Sequence, residues 1–248
     1  MLKPKLTDTV RLGIIDAPVR YRWSNSIACR FEETVNSKLL HAVDLINYRS
    51  KMAIGALVSE LIMWRFEGLT DIDDGMKKSE AAWACAIDPL YSKDLNYCFT
   101  DDHYIHDKDP VFGAIEIALS QLETIQKRYA QGGIYLTASV TILILVARHV
   151  FPKKTEFSSW LSDTLQHTEN YFKRGMSEKD FYSLKSYDYS HEKPCFREFF
   201  EPDFVYTDEN ARDAINRFLQ SLDPNENPYL RTPDEMKAVG FSGVPYTY

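Results

Sequence analysis

The sequence predicts an all-α fold, a single bundle-like domain of about seven to nine helices around a buried apolar helix at residues 134–150. Residues 134–147 carry no charged side chain, and the first charge comes at Arg148. A helix without a polar face has to be covered on all sides by protein or lipid. The run is shorter than the roughly 20 apolar residues of a membrane span, so we expect protein to cover it. Elsewhere the apolar residues recur with a helical period and show almost no strand-like alternation.

Composition limits the classes of function. The chain has 248 residues, of which 44% are hydrophobic, and this is ample for a core. Its formal net charge of -7 argues against a surface that follows nucleic-acid phosphates. The first residues lack the apolar core of a signal peptide, so we expect a cytoplasmic protein with no membrane partner. Four widely spaced cysteines without a CxxC pair are typical of reduced thiols.

Residues 1–30 are predicted to form an N-terminal arm, which could include a short strand before Pro18. The arm is the most basic part of the chain, with Arg11, Arg20, Arg22 and Arg30. We interpret it as a solvated arm on an acidic body. A nucleic-acid-binding arm is the alternative, which the overall acidity and the lack of a basic recognition helix disfavour. Residues 31–248 are predicted to be one helical domain, because no repeat or Gly/Ser linker divides them.

The first helices follow from an apolar stripe that runs from Phe31 to Trp64 without a proline and stops before Gly68. As one continuous helix this segment would be about 55 Å long at 1.5 Å per residue. A break near Ser50 or Gly55 would divide it into two helices. The sequence leaves both possibilities open.

Capping signals place the later helices. A third helix is predicted over residues 73–87. Asp109, with a proline directly behind it, begins the next helix, and Gly132 ends it. Further N-caps are predicted at Thr155, Ser177 and Thr207. A capping box at residues 232–235 begins the last helical turn.

Residues 185–206 show no helical period and combine aromatic with acidic side chains. A non-helical connection longer than about 15 residues is uncommon in a compact domain and is often functional. Aromatic anchors surrounded by charges are typical of protein interfaces. The predicted partner-binding residues are Phe196, Glu198, Phe199, Glu201, Asp203, Tyr206, Asp208 and Glu209. The alternative is that the aromatics cover the bundle while the carboxylates face water, with the tail at residues 227–248 docked beside them.

A polar stretch at residues 101–109 offers a metal-binding alternative. Imidazole and carboxylate together suit Zn, Mn or Fe. The candidate ligands are His41, Asp44, His103, His106 and Asp107. The first two lie one helical turn apart and could meet the others in space. The simpler interpretation of the stretch is a solvated acidic loop that leads into the helix cap at Asp109.

The spacing of these residues resembles that of HD-domain phosphohydrolases, whose pattern is a histidine, an adjacent His-Asp pair and a distant aspartate. Here the matching residues are His41, His106 with Asp107, and Asp163. The resemblance implies a helical hydrolase whose metal lowers the pKa of a bound water. The His-Asp pair of that family lies within a helix, whereas Pro110 follows it closely in this chain.

Motifs for catalysis do not favour an enzyme. The sequence contains no GxSxG, no phosphate-binding glycine loop, no dinucleotide fingerprint and no HExxH. We therefore expect a non-enzymatic protein without a cofactor, whose partner is a basic protein rather than a nucleic acid. In size, charge and lack of catalytic motifs it resembles the immunity proteins that bacteria make against their own secreted toxins. That resemblance implies an inhibitor whose acidic surface blocks the basic cleft of a toxin or enzyme.

Overall fold

The computed structural model describes residues 13–15, 17–33, 36–95, 108–153 and 156–248. These residues form a helical domain, and no strand occurs among them, which confirms the predicted all-α class. The α-helices with described bounds are α1 (Asn25–Glu33), α2 (Ser37–Leu45), α3 (Tyr48–Arg65), α4 (Asp73–Ile87), α5 (Phe112–Ala130), α6 (Leu136–Val150), α7 (Phe157–Tyr171), α8 (Glu178–Tyr182), α9 (Asp208–Gln220) and α10 (Pro233–Ala238). Short 3-10 turns cover Pro89–Tyr91 and Arg197–Phe200.

Helix α6 is the predicted apolar helix, and it is confirmed as a largely buried element. Its partly exposed positions include Ala138, Ile142 and Leu145, which share one side of the helix because of their spacing. The other sides pack against α1, α2, α3 and α5. Among the helices that the structure describes, none has the length and apolar character that crossing a bilayer requires.

The helix that is enclosed most completely is α3, which packs against α4, α5 and α6. The structure describes all 18 residues of α3, and every one except Arg49 is buried. This helix lies inside although it carries the charged residues Arg49, Lys51, Glu60 and Arg65. At Gly55 an added Cβ would lie 3.1 Å from the Cγ2 atom of Ile125. Glycine there lets α3 and α5 approach closely.

The stripe from Phe31 to Trp64 falls on three helices, the end of α1, then α2 and α3. The last two are divided at Ile46–Asn47 and not at Ser50 or Gly55. Asn47 caps α3, since its side chain accepts a hydrogen bond of 2.8 Å from the backbone N–H of Ser50. The backbone N–H of Asn47 donates instead to the carbonyl of Phe172, at 2.6 Å. The chain breaks here because a distant segment, beyond α7, supplies backbone partners at this position.

Within residues 17–33, the structure describes a segment that leads into helix α1. Helix α1 begins before residue 31 and packs against α6, covering part of the apolar helix. Ile14 and Trp23 are buried in the core, whereas Arg20 and Arg22 are exposed. Arg11 lies outside the described residues. The basic segment is thus fixed to the bundle through its apolar residues while its guanidinium groups face outward.

Several predicted helix starts are confirmed. Helix α4 spans the predicted residues 73–87. Ser177, Thr207 and Thr232 cap α8, α9 and α10, the last with the predicted capping box. At the start of α5, the side chain of Asp109 accepts hydrogen bonds from the backbone N–H groups of Val111 and Phe112, at 2.8 and 2.9 Å. The predicted cap at Thr155 lies outside the described residues.

A buried ion cluster joins α2 and α3 to the segment that follows α7. Asp44 is 3% exposed, and its carboxylate accepts a hydrogen bond from Arg174 at 2.5 Å and lies 3.4 Å from the Lys51 ammonium. The hydroxyls of Tyr182 and Thr137 donate to the same carboxylate, at 3.1 and 3.3 Å. Burial alone would raise the pKa of Asp44, but Lys51 and Arg174 hold it below the ordinary value.

A second buried cluster surrounds Glu60 of α3, which is 1% exposed. Arg197 donates to both of its carboxylate oxygens, at 3.1 and 2.5 Å. The indole N–H groups of Trp83 and Trp64 donate to the same carboxylate, at 2.8 and 3.3 Å. Burial would lower the pKa of Arg197, but the contact with Glu60 raises it above the ordinary value. This bidentate pair fixes the 3-10 turn Arg197–Phe200 to the centre of the bundle.

The Asp44 cluster should make stability depend on pH in a defined direction. Because the folded-state pKa of Asp44 lies below its unfolded value of 3.8, the stabilisation is present above that pH and is lost as the pH falls below it. Replacing Asp44 with Asn should lower the free energy of unfolding by about 3–5 kcal/mol at pH 6. Urea unfolding at pH 6 and pH 3 measures the difference, which should shrink at pH 3. The exposed Asp163 of α7 serves as the control, since Asp163→Asn should have little effect at either pH. A difference between wild type and Asp44→Asn that stays the same at both pH values would contradict this role.

The Glu60 cluster should show strong coupling between its two charged members. Glu60→Gln removes the bidentate partner of Arg197 in a buried position and should cost about 3–5 kcal/mol. The double variant Glu60→Met with Arg197→Met should lose much less than the sum of the single changes, because neither charge remains buried. Urea unfolding of the wild type, Glu60→Met, Arg197→Met and the double variant gives the coupling energy. Additive losses would show that the pair does not act as a unit.

Candidate functional site

The predicted partner-binding residues lie in the segment between α8 and the first turn of α9, which covers the C-terminal end of α7. Phe196 and Phe199 are 1% and 2% exposed, so they belong to the core and not to the surface. The ring of Phe199 packs against Phe172, with centroids 4.9 Å apart. Phe196 and Phe199 therefore cover the bundle, as the alternative interpretation of this segment predicted.

The carboxylates of this segment are placed differently. Asp203, Asp208 and Glu209 are exposed, while Glu198 and Glu201 are partly buried. Glu198 pairs with Arg217 of α9 at 2.7 Å, and Asp208 pairs with Lys193 at the same distance. The contact with Lys193 lowers the pKa of Asp208.

Two exposed apolar side chains lie in the same region. Val205 is 69% exposed and Tyr171, the last residue of α7, is 46% exposed. The ring of Tyr171 contacts that of Tyr206, with centroids 4.8 Å apart, and so borders the acidic segment. We call the group formed by Tyr171, Glu198, Glu201, Asp203, Val205, Tyr206, Asp208 and Glu209 the acidic surface.

Sequence reasoning did not include Tyr171 or Val205 in this site. Tyr171 precedes Phe172, which is 2% exposed. A neighbouring position on a helix is rotated by about 100°, so helical periodicity could have placed Tyr171 off the apolar face. No comparable signal exists for Val205, which lies in an irregular loop. Its exposure follows from the turn that positions it.

The loop that carries Val205 is held by its own hydrogen bonds. The side chain of Thr207 accepts from the backbone N–H of Asn210 at 3.0 Å, which caps α9. The side-chain amide of Asn210 donates to the carbonyl of Val205 at 2.8 Å. Asp208 and Glu209 lie in the first turn of α9, where the helix dipole favours negative charge. The exposed carboxylates thus stand on a fixed support.

The residues of the metal-binding alternative are not brought together in the described part of the chain. His41 is exposed on α2, whereas Asp44 is buried and its carboxylate is engaged by the ion cluster. Asp163 is exposed on α7. His103, His106 and Asp107 lie outside the described residues. Within the described ranges, no group of three or more His, Cys, Asp or Glu residues is placed to hold a metal ion.

No protein-family model, no curated protein and no solved structure matches the chain. The function is therefore inferred from the arrangement of its own residues. Among the described residues, the acidic surface combines exposed carboxylates on a fixed support with the exposed side chains of Val205 and Tyr171.

Proposed function

We propose that this protein acts by binding a basic protein partner through the acidic surface, as an inhibitor of the immunity type. The observation that carries the proposal is the placement of Asp203, Asp208 and Glu209 around the exposed Val205 and Tyr171. Exposed carboxylates supply charge complementarity to a basic surface, and the apolar side chains supply area that can be buried in the contact. Both contributions come from one continuous segment and the helix end beside it.

Charge supports a fast encounter with such a partner. The chain has a formal net charge of -7, so its long-range field attracts a cationic protein before contact. Carboxylates at the rim of an interface act chiefly on the association rate and on its dependence on salt. An inhibitor that has to reach a harmful enzyme before its substrate does benefits from this property.

Rigidity supports the affinity of the complex. The pair of Glu60 with Arg197 and the burial of Phe199 hold the segment against the bundle. The hydrogen bond of Asn210 to the Val205 carbonyl fixes the loop tip. A surface that is ordered before binding loses less conformational entropy when the complex forms. Blocking the cleft of an enzyme requires such a preformed surface and no chemistry of its own.

Charge reversal tests the steering role. Asp203→Lys with Glu209→Lys should lower the association rate with the basic partner about tenfold or more at low salt, and less at high salt. Neither side chain is buried, so folding should be unaffected. The matched control is Glu32→Lys with Glu33→Lys on α1, which makes the same change in net charge away from the acidic surface. The basic partner for this experiment is the product of the neighbouring gene, which is co-expressed and purified. Surface plasmon resonance then gives the association and dissociation rates. Equal losses in the two double variants would overturn the assignment of this surface, and no complex with a basic protein would overturn the proposal itself.

A neutral substitution tests the apolar part. Val205→Asn should weaken the complex about tenfold, chiefly by faster dissociation, because the amide would be buried without a partner. Val239, which is 45% exposed at the end of α10, provides the control. Val239→Asn should leave both rates unchanged. If Val205→Asn binds as well as wild type, the loop tip is not in the contact.

A further inference from the structure

A cavity of about 780 Å³ lies between the N-terminal segment at residues 18–22 and the end of α6. Basic side chains and an apolar wall line it together. The charged lining residues are Arg20, Arg22, Arg148 and Lys153, and the wall includes Tyr21 and Phe151. None of the described lining residues is acidic. The volume falls within the range of about 300–1,000 Å³ that is typical of small-molecule sites.

The wall of this basic pocket is held in place before any ligand arrives. His149 Nε2 lies 2.8 Å from the carbonyl of Arg22, and its ring packs against Tyr21 with centroids 5.3 Å apart. The hydroxyl of Tyr21 donates to the carbonyl of Pro110. These contacts join the N-terminal segment to α6 and to the start of α5. The pocket is therefore built by tertiary contacts and is not a gap beside a loose arm.

In the part of the chain that the structure describes, two arginines in and behind the pocket each have a guanidinium nitrogen without a hydrogen-bond partner. The Nε atom of Arg148 is buried and has no hydrogen-bond partner among the described groups. Behind it, Arg65 is 1% exposed; its Nε donates to the Val150 carbonyl at 3.3 Å, while its Nη1 has no described partner. Burial lowers the pKa of both guanidinium groups. Burial and the nearby charge of Asp109 raise the pKa of Tyr21. One carboxylate oxygen of Asp109 is already engaged, because it accepts the backbone hydrogen bond that caps α5.

An anion would resolve this arrangement. Buried or partly buried cations without partners are costly, and an anionic ligand that enters the pocket supplies the missing charge and acceptors. The planar guanidinium group matches phosphate oxygens in a bidentate geometry. The apolar wall formed by Tyr21 and Phe151 suits the body of a ligand that carries such a group.

We propose that the basic pocket binds a small organic phosphate with a planar body, of the size and chemistry of a nucleoside monophosphate. Arg20, Arg22 and Arg148 hold the phosphate, and the ring of Tyr21 contacts the planar body. A nucleic-acid polymer fits less well, because the site is a pocket of limited volume and the chain as a whole repels polyanions through its net charge of -7.

The basic pocket and the acidic surface are separated by the length of α7. At the start of this helix, Phe157 contacts Phe151 of the pocket wall, with centroids 4.7 Å apart. At its other end, Tyr171 contacts Tyr206 of the acidic surface. A helix of 15 residues spans about 22 Å. The ligand site is thus a second site, and its test does not depend on the proposed protein partner.

Calorimetric titration of the full chain with AMP, adenosine and inorganic phosphate tests the ligand class. AMP should bind saturably, and adenosine and phosphate should each bind at least about tenfold more weakly, because each lacks one half of the recognised chemistry. Titration with an oligothymidylate of eight nucleotides tests the alternative that the pocket binds a nucleic-acid polymer. If AMP does not bind, if phosphate binds as well as AMP, or if the oligonucleotide binds more tightly, the proposal is wrong.

Variants test the role of the arginines. Arg148→Met should lower the affinity for AMP about tenfold or more. It should also raise the Tm of the ligand-free protein by about 2–4 °C, because a buried guanidinium nitrogen without a hydrogen-bond partner is removed. Arg20→Gln with Arg22→Gln changes only exposed side chains and should also lower the affinity about tenfold, with no change in Tm. The exposed Arg212 of α9 is the control, and Arg212→Met should change neither quantity. AMP binding that survives in both pocket variants would overturn the assignment.

Discussion

Helix α3 carries Lys51, Glu60 and Arg65 into the interior, where Trp64 of the same helix supplies one hydrogen bond to Glu60 and the other described partners come from other segments. A charge that is moved out of water without a partner costs several kcal/mol, so the rest of the fold has to bring complementary groups to it. Asp44 comes from α2, and Arg197 comes from the 3-10 turn before α9. The carbonyl of Val150 at the end of α6 accepts from Arg65. Satisfying these groups determines which segments can pack around α3.

This requirement explains which parts of the fold could be predicted from sequence. Helix α6 has no charge until Arg148, so its burial follows from its composition. Helix α3 is enclosed more completely, although it carries charged residues of the kind that usually lie at the surface. The partner of Glu60 lies 137 residues away in the sequence, and no local rule connects the two. The break at Asn47 was misplaced for the same reason, since its backbone partner is Phe172. Local signals such as the N-caps at Thr207 and Thr232 were predicted correctly, because the backbone groups that these side chains satisfy are close in sequence.

The candidate site was predictable to a smaller extent. The carboxylates were identified from composition, because charged side chains in an irregular segment usually reach solvent. Whether an aromatic residue in an irregular segment faces the core or the solvent depends on tertiary packing, so Phe199 could not be assigned correctly from its place in the chain. The N-terminal arginines were seen as a basic arm, but the pocket they form with Arg148 requires contacts between segments more than 100 residues apart. Sequence patterns therefore indicate the charge of a segment more reliably than they indicate which segments pack against it.

The long sequence separation of the buried ion pairs has a consequence for how the chain reaches its native state. Asp44 and Arg174 are 130 residues apart, and Glu60 and Arg197 are 137 residues apart. During synthesis the first half of the chain is present without Arg174 and Arg197, which pair with the interior carboxylates of Asp44 and Glu60. Contacts between residues so far apart in sequence form slowly, because the long connecting loop has to close before the contact can stabilise the fold. A nascent chain that ends before residue 174 should therefore remain incompletely packed and dependent on protection from aggregation, and the native core should form only after the C-terminal third has been made.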